Sequence, residues 1–179
     1  KTGVAIISGE ITTSAWVDTS APRLWHLLAD APGWPQWWSA VARCDVAAPA
    51  SGNTVLPGRW RLALGWPLHL VVSRLASQPQ EWLTWRLRGD LDGQATFMLQ
   101  AAGSAPAGSP AGAHAGRPPG LDLTCRCELR EPPPGWWWGA AALEHRTSGL
   151  LLGLARDLGR ALHCRSEVLG HWQGSRWRG

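Results

Sequence analysis

Two side chains in this sequence could serve as an acid, a base or a polar anchor inside an apolar site. His69 is the stronger candidate, because a histidine titrates near neutral pH and can move a proton or bind a polar group. Arg86 is the second candidate, and His26 is a further candidate for a polar anchor, ranked after His69. A histidine among apolar neighbours is more often a satisfied core residue, and this alternative stays open for His69.

The four cysteines could act as metal ligands, as a disulfide or as nucleophiles. Cys44, Cys125, Cys127 and Cys164 contain no C-x-x-C pair, and no histidine follows at zinc-finger spacing, so we predict no metal site and no cofactor. Cys125 and Cys127 alternate along one predicted strand with Cα atoms about 6.6 Å apart, near the upper limit for a disulfide. We expect free thiols in a reducing cytoplasm, where Cys125 or Cys127 could assist His69.

Tryptophan dominates the aromatic residues, with 14 Trp against one Phe and no Tyr. An indole combines a large apolar surface with one N–H donor, so a cavity wall built from it suits ring-shaped or lipid-like ligands. The alternative is that most of these rings simply fill the core. The net charge of +4 is mild and the arginines are scattered along the sequence, so we predict no nucleic-acid partner.

The elements that must position these residues begin with residues 17–38. A strand ends at Asp18, and a short helix begins behind Ser20 and Pro22, with the Ser20 side chain expected to accept a hydrogen bond from the first turn. Pro32, Gly33 and Pro35 stop that helix from running on. The pattern predicts two short helices with a kink between them.

Alternation of apolar and polar residues predicts about seven antiparallel strands. They cover residues 9–18, 41–48, 58–64, 68–77, 81–90, 94–100 and 121–131. In the fourth, His69, Val71, Ser73 and Leu75 share the inward face if Arg74 faces water, although a bulge would reverse the two faces.

The remaining segments are a loop, a long helix and a tail. Residues 101–120 are almost only Ala, Gly, Ser and Pro and are predicted to be a mobile loop. From Gly139 to about residue 162, leucines at spacings of three and four predict one long amphipathic helix. Within it, Gly149 and Gly153 indicate a bend or a close neighbour. Residues 164–179 are expected to be a disordered tail.

The order of these elements, with four sequence segments, resembles the START-like (SRPBCC) superfamily with the Bet v 1-like helix-grip fold, within it the polyketide cyclase/dehydrase and lipid-transport group. The segments are residues 21–30, 34–38, 85–93 and 148–162, and the resemblance covers residues 9–163 as one domain. It implies an α+β fold in which a curved antiparallel sheet of about seven strands wraps around a long C-terminal helix, with two short helices after the first strand.

The resemblance also implies a hydrophobic pocket between the sheet and the long helix. Its wall would comprise Trp37, Trp38, Trp60, His69, Trp85, Phe97, Cys125, Cys127, Leu150, Leu151 and Leu154. Trp34, Trp37 and Trp38 would form a gate at its mouth. Cyclases of this group use tyrosine and arginine to polarise ketones, and this sequence has no tyrosine.

These observations favour binding of a hydrophobic small molecule, such as a polyketide, a lipid or a quinone-like compound. An aromatase/cyclase or dehydratase is the alternative, although no nucleophile or phosphate-loop motif supports an enzyme, and His69 and Arg86 are weak catalytic candidates. A second alternative is contact with a membrane or a partner through Trp136, Trp137, Trp138 and the Trp/Arg tail. Since no apolar run approaches the length of a membrane span, a cytoplasmic location is expected.

Overall fold

The computed structural model of this chain describes residues 8–46, 59–64, 69–102, 119–130 and 139–176. Its strands are β1 (Ser8–Val17), β2 (Val41–Val46), β3 (Arg59–Leu64), β4 (His69–Gln78), β5 (Trp82–Gly89), β6 (Gly93–Ala101), β7 (Leu121–Arg130) and β8 (Ser166–Arg176). Its α-helices are α1 (Ala21–Ala29), α2 (Trp34–Trp37) and α3 (Gly139–Leu162), with a 3₁₀ turn at Ala31–Gly33.

The strands form one antiparallel sheet in the order β2-β3-β4-β5-β6-β7-β1-β8. Alternate residues of the central strands are buried on one face, as in β7, where Leu121, Leu123, Cys125, Cys127 and Leu129 all point inward. The helix α3 buries Leu151, Leu154, Leu158 and Leu162 against this face. The core therefore lies between the curved sheet and α3, which confirms the predicted helix-grip architecture.

The two short helices after β1 are confirmed, but the predicted cap is not. Pro22 stands in the first turn of α1, and the Leu24 N–H donates to the Ser20 backbone carbonyl at 3.2 Å. The Ser20 side chain makes no capping hydrogen bond, so that prediction is wrong. Leu24 and Leu28 are buried on one face of α1, as the spacing of apolar residues predicts.

The predicted faces of β4 are wrong, because Arg74, although exposed, lies on the same strand face as the buried Leu70 and Val72. It pairs with Trp85 of β5, and the register shifts between Arg74 and Ala76. Leu70 and Val72 are consequently the buried residues of β4, while His69 is exposed. The extra residue at the shift is the bulge that the sequence left open as an alternative.

The predicted disordered tail is also wrong for residues 166–176. They form β8, which pairs antiparallel with β1 from Ser166 opposite Val17 to Arg176 opposite Ser8. This pairing satisfies the second edge of β1, whose first edge pairs with β7.

Two further predictions concern the loop and α3. The 101–120 loop falls mostly outside the described residues, as do Trp136, Trp137 and Trp138. In α3, a Cβ at Gly149 would have no neighbour within 4 Å, and one at Gly153 would meet only Arg156 Nη2 at 3.8 Å. Among the described residues, therefore, nothing approaches the backbone closely at either glycine.

Candidate functional site

A cavity of about 60 Å³ lies between the inner face of the sheet and α3. Its wall presents apolar surface only. The lining residues are Trp34, Trp38, Leu62, Leu64, Leu70, Val72, Trp85, Leu87, Leu91, Ala95, Phe97, Cys125, Cys127, Leu129, Leu150 and Leu151. Such a wall favours apolar ligands, because a polar molecule entering it would lose its hydrogen bonds to water.

A cluster of four indole rings borders the cavity, and three of them, Trp34, Trp38 and Trp85, line it. Trp34 packs edge-on against Trp38 and Trp85, with ring centroids 5.6 and 5.2 Å apart. Trp37 stacks on Trp38 at 5.9 Å with an interplanar angle of 13°. Both arrangements are favoured for aromatic pairs. The cluster joins the short-helix segment, residues 21–38, to β5 of the sheet.

The indole N–H groups of this cluster are buried without a hydrogen-bond acceptor among the described residues. This holds for Trp34, Trp37, Trp38 and Trp85. A buried donor without a partner costs about 1–3 kcal/mol, so four in one cluster represent a considerable loss of hydrogen bonding. Buried donors without an acceptor are rare in native structures, and they are often explained by a functional role or by a bound water or ion.

Polar contacts near both of its ends hold the short-helix segment in place. At the end of α1, the Arg74 guanidinium donates to the Ala29 carbonyl at 2.8 Å and lies 5.5 Å from the centre of the Trp85 ring. Beyond α2, the Asp157 carboxylate of α3 accepts hydrogen bonds from the Ser39 N–H at 2.9 Å and hydroxyl at 2.6 Å. Asp157 is fully buried, so these bonds replace the water that its charge has lost.

Two thiols, those of Cys125 and Cys127, lie in the cavity wall. Cys125 and Cys127 lie side by side on the inner face of β7, and a hydrogen bond to Cys127 together with burial raises the pKa of Cys125 well above 9.0. All four cysteines are free, as the sequence predicts. A thiol whose pKa is raised is a weak nucleophile near neutral pH, so Cys125 acts here as part of the apolar wall.

The structure brings most of the predicted wall residues together. Those that line the cavity are Trp38, Trp85, Phe97, Cys125, Cys127, Leu150 and Leu151. Trp37, Trp60 and Leu154 do not line it, although all three pack against the core. Trp34, predicted as part of a gate, is 3% exposed and lies inside the wall.

The polar candidates lie away from the cavity. His69 has an exposed side chain, and its backbone N–H donates to Asp90 at 2.7 Å. Arg86 alternates with the buried residues of β5 and therefore lies on the outer face of the sheet. His26 is exposed on α1. The prediction that His69 faces the cavity is wrong. The bulge between Arg74 and Ala76 reverses the alternation of β4, so that Leu70 and Val72, and not His69, point inward.

Sequence reasoning missed several aliphatic residues of the wall. They are Leu62, Leu64, Leu70, Val72, Leu87, Leu91, Ala95 and Leu129. Most of them stand at alternate positions of predicted strands, and this alternation was the signal that could have found them.

A family model described as polyketide cyclase / dehydrase and lipid transport matches residues 8–158. The chain belongs to this family. A search of the curated proteins found no match.

Solved structures of other proteins share the fold of this chain. A START superfamily protein from Mycobacterium smegmatis is 15% identical, with a TM-score of 0.62 over 87% of this chain and 97% of that one. Major latex-like protein 151 from Panax ginseng is 11% identical, with a TM-score of 0.53 over 87% of this chain and 97% of that one. At such identities the likeness shows the START-like, Bet v 1-like fold of this family member and no more.

The described part of this family member holds no cluster of three or more His, Cys, Asp or Glu side chains that could bind a metal ion. In the same residues, no helix combines the length and apolar character that crossing a membrane requires.

Proposed function

We propose that this chain binds a hydrophobic small molecule, such as a polyketide, a lipid or a quinone-like compound, in the cavity between the sheet and α3. The observation that carries the proposal is the apolar wall beside four buried indole N–H groups that have no acceptor among the described residues. The fold and the family are consistent with a hydrophobic ligand.

The size of the cavity implies that part of its wall moves when a drug-sized ligand enters. Sites for drug-sized molecules measure about 300–1,000 Å³, whereas this cavity measures about 60 Å³. Trp34 and Trp38 line the cavity and belong to the short-helix segment, which is held by polar contacts from Arg74 and Asp157 among others. We therefore propose that Trp34, Trp37 and Trp38 act as a gate that swings away with this segment.

The indole N–H groups without an acceptor among the described residues indicate what kind of ligand would bind when the gate opens. A ligand with a flat apolar body can stack on the indole rings, and a carbonyl or ether oxygen on it can accept from an N–H group that the closed cluster leaves unpaired. Binding would then recover part of the hydrogen bonding that the closed state lacks. A purely hydrocarbon ligand would recover none.

The cavity wall favours binding over catalysis. Among the described residues that line it, the titratable side chains are Cys125 and Cys127, and the pKa of Cys125 is raised. An aromatase/cyclase or dehydratase needs a group that gives or takes a proton near neutral pH. His69 and Arg86, the candidates for this role, lie outside the wall.

The test is a titration of the purified protein with polycyclic quinones, matched aromatic hydrocarbons and fatty acids, followed by tryptophan fluorescence and native mass spectrometry. We expect saturable binding, tighter for a quinone than for its hydrocarbon. The variant Trp34→Phe should remove much of this preference, whereas Trp82→Phe, outside the cavity wall, should keep it. If no compound binds, the proposal fails. If the hydrocarbon binds as tightly as the quinone, the role of the N–H groups fails.

A further inference from the structure

Four arginines form a compact group on the outer face of the sheet, opposite the cavity. Arg59 and Arg61 belong to β3, and Arg86 and Arg88 to β5. The strand β4 lies between β3 and β5. Its Ser73 is the cross-strand neighbour of both Arg59 and Arg86, and its Val71 is the neighbour of both Arg61 and Arg88. With strands about 4.8 Å apart and alternate residues about 6.7 Å apart, the four Cα atoms mark a rectangle of about 10 by 7 Å. We call this group the arginine quartet.

No member of the quartet has an ion-pair or hydrogen-bond partner among the described residues. Asp45 stands opposite Arg61, and its carboxylate is bound by Arg43 at 2.6 Å. Asp92 and Glu128 share a groove with Arg86, but their carboxylates contact arginines of the other half of this face. The adjoining segments 47–58 and 65–68 contain no Asp or Glu in the sequence. The quartet therefore concentrates four positive charges in a chain whose formal net charge is +4.

The other half of the outer face is different, because its arginines are paired. Arg126 contacts Glu10 and Glu128, each at 3.0 Å, and Arg130 lies 3.8 Å from Asp92. The same face thus carries both a neutralised half and a positively charged half. Like charges this close repel each other, so an anionic partner at the quartet would relieve that repulsion.

We propose that the arginine quartet docks this chain on the surface of an anionic lipid bilayer. Guanidinium groups bind phosphate oxygens well, and a bilayer offers many phosphates over a broad surface without demanding a fixed spacing. Between the arginine pairs lie only Ser73 and Val71, with no aromatic ring. Specific protein interfaces usually have an apolar or aromatic centre, and single-stranded nucleic acid needs rings on which bases stack, so both fit the quartet less well.

The docking surface is independent of the cavity, because the quartet and the cavity wall occupy opposite faces of the sheet. The proposal goes beyond ligand binding and can be tested without any ligand. If both proposals hold, docking leaves the inner face and the short-helix segment free of the contact.

The test is sedimentation of the full chain with vesicles of phosphatidylglycerol and phosphatidylcholine, compared with vesicles of phosphatidylcholine alone. The variant R61Q/R88Q removes two quartet charges, and R126Q/R130Q removes two charges from the paired half as a matched control. One arginine near an anionic surface contributes about 1 kcal/mol, so the quartet variant should bind about 25-fold more weakly. Thermal unfolding of each variant shows that it is folded at the temperature used.

We expect the natural chain to bind the anionic vesicles, to ignore the neutral ones, and to be released at about 0.5 M salt, where charges are strongly screened. The control variant should stay within about threefold of the natural chain. Three results would overturn the proposal: no binding to anionic vesicles, equal losses in the two variants, or retention on heparin or an acidic protein without vesicle binding.

Discussion

The carboxylate of Asp157 accepts two hydrogen bonds from the single residue Ser39, one from its N–H and one from its hydroxyl. Asp157 belongs to the long helix, whereas Ser39 follows the tryptophan-rich helix α2. The contact spans 118 positions of the sequence. It fixes the end of the short-helix segment to α3, and thus holds the tryptophan cluster over the cavity.

Removing the Ser39 hydroxyl should destabilise the fold measurably. Ser39→Ala leaves a fully buried carboxylate with one acceptor bond fewer, and we expect the free energy of unfolding to fall by about 1–3 kcal/mol. Urea denaturation measures this loss. Ser73→Ala on the outer face is the control and should change stability by less than about 0.5 kcal/mol. Equal values for the two variants would contradict the structural importance of the bond.

Loss of the Arg74 contacts should loosen α1. In Arg74→Gln the hydrogen bond to the Ala29 carbonyl and the contact with the Trp85 ring both disappear, which should cost about 1 kcal/mol. Hydrogen exchange should then be faster at the amides of α1. Arg61→Gln removes the same charge from a side chain with no partner among the described residues, and it should leave that exchange unchanged. Faster exchange in both variants would show a general charge effect instead.

Two glycines of α3 should respond in opposite ways to the same substitution. A Cβ at Gly159 would collide with Ser166 Oγ and lie 3.2 Å from the Cys164 carbonyl, whereas a Cβ at Gly149 would meet no described residue within 4 Å. Gly149→Ala should therefore raise the free energy of unfolding by about 0.5–1 kcal/mol, as alanine does in an open helix position. Gly159→Ala should lower it by about 1–3 kcal/mol. A gain in both would mean that β8 does not pack against the end of α3 as described.

Stability should fall in alkaline solution because of the cysteines. Burial and the neighbouring Asp45 and Asp30 raise the pKa of Cys44 to about 11, and the pKa of Cys125 is also raised. Above about pH 9 the unfolded chain loses these thiol protons while the folded chain keeps them, so the free energy of unfolding decreases as pH rises. Below that pH both states are protonated and the contribution is constant.

Urea denaturation at about pH 8 and about pH 10 tests this dependence. The natural chain should be less stable at the higher pH, and the double variant C44A/C125A should show a smaller decrease. A decrease of the same size in that variant would assign the effect to other groups.

The sequence predicted the inner faces of β5, β6 and β7 well. In these strands the apolar residues alternate without a break, as in Leu83, Trp85 and Leu87. The sequence could not predict the faces of β4, because its local pattern does not show that the register shifts between Arg74 and Ala76.

The edge strand and the gate show the same limit. The sequence gives no clear signal for β8, because a strand at the edge of a sheet needs fewer apolar residues. In addition, Glu167 and Gly170 interrupt the alternation of apolar and polar residues. The sequence predicts Trp34 at the mouth of the pocket, whereas in the structure its ring is buried and packs against Trp38 and Trp85. Local spacing shows that a helix breaks, but not the direction in which the next ring points.

The tryptophan cluster also has an optical consequence. Its four rings follow one another at centroid distances of 5.9, 5.6 and 5.2 Å, close enough for their electronic transitions to couple. The chain has no tyrosine, so its near-ultraviolet circular dichroism comes almost entirely from indoles. The intensity of that spectrum depends on the angles between the rings, and it therefore gives an unlabelled signal of whether Trp34, Trp37 and Trp38 have moved.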